Sequence, residues 1–363
     1  MEMSFASSRP SSGSAVNFDG LQDHFRIELG KKAHDQLPRY ETVMQAAQSL
    51  RVGAREAKGL AERLFVAQGA DGSGMWANTM AAQFLEWRQD NEDKTVYGYL
   101  AGILKLTCDH FAIGAGHPLL PAAVAASVLG EVHNNLPFHS AGHTREVVAL
   151  AVALAAQQDR LDPFDDPQTQ SLEIFIAACI HDYAHDGFGN ARYGQHTPMR
   201  LEQNALDHAL PYLKMAGIPD PSWERICVMV LATDVSKPAA SYTSPAEWMR
   251  LAFGGAGAGG DCPPFLAPLF DDPSLSLQAA ILEDADLGVS GGLPYEFSRR
   301  MTALIAQETK VLTPSPETLI GFIDHICHNK FMTAAAAALF GDNMERLRAA
   351  AEKESVDTIY QWS

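Results

Sequence analysis

Alanine-rich segments in which apolar residues recur every three to four positions fill most of this chain, and alternating runs of β-branched residues are few. That periodicity commits the chain to an all-α class. After a flexible Ser-rich leader over 1–20, helices are expected near 40–50, 53–68, 76–87 and 93–111, with turn signals such as GADGSG at 69–74 between them. More deeply buried helices are expected near 121–132, 140–157, 170–183, 201–213, 223–231, 245–251, 276–285, 295–307, 316–329 and 331–353. The organisation read from this is a helical region over 21–117 packing on a larger unit over 118–355, followed by a tail over 356–363. The Gly-rich stretch at 253–264 lacks the Lys-Ser/Thr of a phosphate-binding loop and reads as a flexible connection or a mobile flap.

Composition matters chiefly for what it excludes. The formal net charge of −17 argues against nucleic acid or an anionic membrane surface as a partner. No apolar stretch is long enough to cross a membrane, and residues 1–20 lack the basic start and apolar run of a signal peptide. Five cysteines without a CxxC pair suit a reducing compartment, so a cytoplasmic location is expected. An acidic surface also repels phosphate substrates unless a local metal centre reverses the sign.

Three stretches carry chemistry. In PFHSAGHTREVV (137–148), His139 and His143 lie four residues apart. If Ser140 caps the helix that Pro137 cannot enter, both imidazoles fall at its first turn, close to one face. In IHDYAHDGFGN (180–190), a buried helix delivers His181 and Asp182 at its C-terminal end, with His185 following. Gly187 and Gly189 break the helix, and Asn190 can hydrogen-bond backbone in the turn. In ILEDADLGVS (281–290), Glu283, Asp284 and Asp286 end an apolar helix. Carboxylates there oppose the helix dipole, so either a cation compensates them or they form a solvated acidic turn.

Taken together, His143, His181, Asp182 and Asp286 make a two-imidazole, two-carboxylate set suited to Zn²⁺, Mn²⁺ or Fe²⁺, and a carboxylate in it can bridge to a second, harder ion such as Mg²⁺. Two such ions activate a shared water and clamp a phosphoryl group for in-line attack. His139, one turn ahead of His143, is placed to protonate the leaving oxygen. The set therefore predicts metal-assisted hydrolysis of a phosphoester.

These motifs resemble those of a known family. FHSAGHTREV (138–147) resembles the Y-H-N-x-x-H-A-x-D-V signature of class I cyclic nucleotide phosphodiesterases, of the HD-domain metal-dependent phosphohydrolase superfamily, and IHDYAHDGFGN resembles their second signature. LATDVSKP (231–238), ADL (285–287) and GFIDHI (321–326) are similar to later family segments and follow in the family's order. The resemblance implies a compact bundle of many helices with a deep pocket, its catalytic domain over 118–355. It implies His139 as general acid for the ribose 3′-oxygen and His185 as a contact to phosphate or water. His143, His181, Asp182 and Asp286 become ligands of the tighter metal, often zinc, with Asp182 bridging to a magnesium or manganese site. Glu202, Asp234 and Asn190 would support the centre, and Phe322 would stack on the base.

The base-recognition positions depart from the family pattern. Phe138 stands for its Tyr, Ser140 for an Asn, and RLEQNAL lacks its paired His. The purine-recognising Gln is Leu319, and the Asn three residues after the final ligand is Val289. An alkyl side chain cannot make the paired hydrogen bonds an amide makes to a purine edge. The leading expectation is thus hydrolysis of a cyclic nucleotide 3′,5′-phosphodiester to the 5′-monophosphate, by metal-activated hydroxide with His139 as acid. The alternatives are an HD-type phosphohydrolase for another phosphoester, and a metal-bearing binding module with little turnover. The partner common to the enzyme readings is a small phosphoester.

Overall fold

A computed structural model of the chain describes residues 64, 75–91, 99–131, 136–192, 195–239, 241–258, 261–310 and 313–361. The leader and the helices expected at 40–50 and 53–68 lie outside the described residues, apart from the helical Leu64. The rest is a helical assembly: α1 (Met75–Asn91), α2 (Tyr99–His110), α3 (Leu120–Glu131), α4 (Ala141–Leu161), α5 (Pro167–Ile180), α6 (Arg200–Met215), α7 (Asp220–Leu231), α8 (Pro245–Phe253), α9 (Pro268–Asp271), α10 (Pro273–Gly291), α11 (Tyr295–Thr309), α12 (Pro316–His325), α13 (Ala334–Phe340) and α14 (Asn343–Gln361). The β-structure among the described residues is a hairpin of two residues a side, β1 (Ala191–Arg192) and β2 (Gln195–His196). No described helix is long and apolar enough to cross a membrane.

Helix α4 is the axis of the assembly. Every residue from Val147 to Gln158 is buried, because the run is apolar on all sides and its alanines let neighbours approach closely. It packs against α5, α10 and α13. Trp76 and Phe84 of α1 and Leu100 and Ile103 of α2 belong to the same hydrophobic cluster. Buried charge ties these N-terminal helices to α4. Arg88 of α1 donates through Nε and Nη2 to Glu146 at 2.6 and 2.7 Å. Arg145 donates to Glu131 of α3, which also accepts the Leu100 N–H.

Helix starts follow local chemistry. Asp166, Ser244, Asp272, Ser315 and Thr333 each accept a backbone N–H of the first turn, and all but the Thr333 helix have proline at the entry. Ser140 is the N-cap of α4 with extended backbone, as its position predicts, yet its side chain makes no capping hydrogen bond.

Two expectations are corrected. The acidic trio does not end its helix: α10 continues to Gly291, so Glu283, Asp284 and Asp286 sit in its body. The helix expected over 331–353 is two, α13 and α14, separated where Gly341 takes φ 57°.

The glycine at Gly130 sets the α3–α5 spacing. A Cβ there would lie 2.6 Å from Leu100 Cδ1 and 2.9 Å from the Cys179 carbonyl oxygen. Alanine gains about 1 kcal/mol of helix propensity over glycine, but overpacking against backbone costs about 1–3 kcal/mol. The expected outcome for Gly130→Ala is a net loss of up to about 2 kcal/mol, read as a lower urea midpoint with an unchanged slope.

Candidate metal centre

Four elements converge at the N-terminal end of α4. Its first turn carries His143, with His139 just before the cap. α5 ends at Ile180, placing His181 and Asp182 in the turn beyond. α10 contributes Asp286 and α11 contributes Glu308. His143 Nε2 lies 3.1 Å from Asp286 Oδ1 and 3.4 Å from Asp182 Oδ2, and His181 Nε2 lies 3.2 Å from Asp182 Oδ2. Two adjacent sets, His143/His181/Asp286 and His139/Asp182/His185, could each hold a metal ion.

The polar accounting tests that fit. Nε2 of both His143 and His181 is buried without a hydrogen-bond partner. His181 Nδ1 is 2.8 Å from the Ala178 carbonyl, which it can meet only as a donor. With Nδ1 carrying the proton, Nε2 of the neutral ring presents its lone pair toward the carboxylates. Buried nitrogens left unpaired are costly, and a cation between them and two carboxylates satisfies all four groups. The electrostatics agree. Burial would raise the Asp182 carboxyl, but the imidazoles of His181 and His139 hold it well below the usual range. Burial would lower His181, but Asp182 outweighs it and pushes it up to about 9. The field that draws protons onto these rings is the field that would hold a divalent ion.

Beside this set stands a stacked pair of imidazoles. The rings of His139 and His185 lie 3.9 Å apart at 15°. Glu308 distinguishes them: its Oε1 is 2.5 Å from His139 Nδ1, and its Oε2 accepts the N–H groups of Phe138 and His139 at 2.9 and 3.0 Å. Burial opposes protonation of His139, but Asp182 and the Glu308 hydrogen bond raise it overall. Burial and then the His139 charge push His185 down to about 4. The two rings of the stack are therefore shifted in opposite directions.

The loop carrying His185 is fastened from α6. Arg200 donates to both Asp186 oxygens at 2.7 and 2.9 Å and to the Gly189 carbonyl. That guanidinium holds the Asp186 carboxyl down to about 2. Gly187 and Gly189, at φ 80° and 64°, supply the left-handed turns. Asn190 accepts the Leu201 N–H at 2.9 Å and donates to Glu202 at 3.1 Å. Glu202 is pushed up to about 8 by burial and then by Asp234. Asp234 itself accepts the Met199 N–H and both the N–H and hydroxyl of Ser236.

The substrate-contact positions are less uniform. The Phe138 ring lies 4.6 Å from that of His143. Phe322 is half-buried, its ring close to Gly291 of α10. Leu319 is 2 % exposed, packed with Leu287 and Ile323, and borders a cavity of about 210 Å³ with Tyr295 and Thr302. Val289 is corrected: it is fully enclosed in the main core and offers no surface to a substrate. Sequence reasoning missed Glu308, which lies in no motif and is separated from His139 by 169 residues.

No protein-family model matches this chain, and neither does any curated protein sequence. Solved structures do match. The phosphodiesterase domain of the rhodopsin phosphodiesterase of Salpingoeca rosetta superposes with a TM-score of 0.50 at 19% identity, over 78% of this chain and 90% of that one. LmjPDEB1 in complex with IBMX superposes with a TM-score of 0.52 at 16% identity, over 76% of this chain and 91% of that one. The all-α fold is that of these phosphodiesterase domains.

Proposed function

We propose that this protein is a divalent-metal-dependent phosphodiesterase that opens a cyclic nucleotide to its 5′-monophosphate. The observation that carries the reading is the pair of buried, unpartnered Nε2 atoms of His143 and His181 facing Asp182 and Asp286, beside a His139 held by Glu308. His143, His181, Asp182 and Asp286 would hold the tighter ion, with zinc the best fit, and Asp182 would reach a second, magnesium or manganese. Divalent ions bound there would supply activated water and neutralise phosphoryl charge.

The chain's own residues do the rest. His139 Nδ1 is committed to Glu308, so the proton available to the leaving 3′-oxygen is the one on Nε2. Glu308 orients the ring through that bond and through two backbone N–H groups. Neutral His185, stacked on His139, donates to phosphate or water without adding a second charge. Phe322 provides the aromatic face for the base.

A pH prediction follows from Glu308. His139 must be protonated to act, so activity is lost as pH rises through its raised pKa. Glu308→Gln removes one of the groups raising it, so the alkaline limb of the kcat/KM profile moves to lower pH while the rate below that limb changes less. An unmoved limb would assign the proton to another residue.

Leu319 favours a second reading, since an alkyl group in an apolar cluster cannot hydrogen-bond a purine. In it the same centre hydrolyses another phosphoester. Assaying 3′,5′- and 2′,3′-cyclic nucleotides, linear dinucleotides and phosphomonoesters with Mn²⁺ and Mg²⁺ decides between them. Turnover of the 3′,5′-cyclic substrates alone supports the first reading, and turnover of none of the panel overturns both.

A further inference from the structure

Away from the metal centre, a cavity of about 650 Å³ opens between α8 and the segment after α12, and none of the centre's histidines or carboxylates lines it. Two of its wall residues are the aromatics Phe253 and Phe331. Its cationic lining is Arg250 and Lys330, with the imidazole of His328 beside them, against the single carboxylate of Glu247. Glu247 is already engaged, closing the capping box with Ser244 and pairing with Lys237, which brings one more cation close by. In a chain of net charge −17 this concentration of positive groups stands out.

Arg250 is the central group. Its side chain is 14% exposed, and Nη2 donates to the Ile326 carbonyl at 3.3 Å and lies 3.8 Å from Glu283 Oε1. Glu283 makes no hydrogen bond to it. Both Glu283 oxygens are buried without a hydrogen bond, and burial pushes its carboxyl well above the ordinary range despite Arg250. His328 senses the same field, held below the usual imidazole range by burial and then by Arg250 and Lys237.

We propose that this cavity is a second ligand site, for a small organic anion built like a nucleoside monophosphate, with its phosphate on Arg250 and Lys330 and its planar ring against Phe253 and Phe331. The volume falls within the range of small-molecule sites, about 300–1,000 Å³. A guanidinium with an ammonium is a strong phosphate acceptor pair, and aromatic faces take a base by stacking. The site is independent of whether the metal centre hydrolyses anything.

Calorimetric titration of the full-length protein with 5′-AMP tests it, using the wild type and the Asp182→Ala, Lys330→Glu and Arg250→Met variants. The expected result is saturable one-to-one binding that survives Asp182→Ala and weakens about tenfold or more in Lys330→Glu. Lys330 is exposed, so its variant decides the matter even if Arg250→Met fails to fold. Binding abolished by Asp182→Ala but unchanged by Lys330→Glu would put the nucleotide at the metal centre and overturn the proposal. Adenosine binding as tightly as 5′-AMP, or no saturable binding at all, would overturn it equally.

Discussion

Asp182→Ala will lose metal and hydrolysis together. Asp182 Oδ2 lies close to both His143 Nε2 and His181 Nε2, at 3.4 and 3.2 Å, and Asp182 also belongs to the set that includes His139 and His185. Removing it takes a ligand from both proposed ions at once. If the ions stabilise the transition state by about 4 kcal/mol, turnover falls by roughly a thousandfold or more. Metal content by elemental analysis, activity and far-UV circular dichroism are measured on the same preparation. A folded variant that is active without metal would falsify the dimetal reading.

His139→Ala should behave differently. It leaves His143, His181, Asp182 and Asp286 in place, so metal content is retained while turnover drops by about two to four orders of magnitude. The defect should depend on the leaving group. A phosphodiester that expels an acidic phenol needs little protonation of its leaving oxygen, so the variant should hydrolyse it at close to the wild-type rate. An equal loss on both substrates would mean that His139 holds structure or substrate and supplies no proton.

The parts of this centre that were legible in the sequence are those written locally. His139 and His143 share one helix turn, and His181, Asp182 and His185 share one helix end, so spacing alone reports their proximity. The all-α class was legible for the same reason, since a recurrence of apolar residues every three to four positions is a property of neighbours along the chain. Glu308 was not, because its contact with His139 joins the last turn of α11 to residues 169 positions earlier in the chain. The acidic trio of α10 misled for a physical reason. Three carboxylates following an apolar run read as the polar end of a helix, where they would oppose its dipole. The structure treats them one by one: Asp284 accepts N–H groups from Met332 and Thr333, burial pushes the Glu283 carboxyl well above its ordinary range, and only Asp286 faces the histidines. Val289, one turn beyond Asp286, is then carried into the core by the helix that continues past it.

The charged anchors of α4 bear on where a gene fragment can be cut. His143, Arg145 and Glu146 occupy almost successive positions, so the turn that presents a candidate ligand is the same turn that grips Glu131 and Arg88. A shortened protein starting at Pro118 would keep every candidate metal ligand yet strand Glu146 as a buried carboxylate without its guanidinium, a loss of about 3–5 kcal/mol. It would also uncover the apolar surface that Phe84 and Ile103 now cover. Expression of such a fragment should give aggregated or metal-poor material, whereas one that retains α1 and α2 should stay folded.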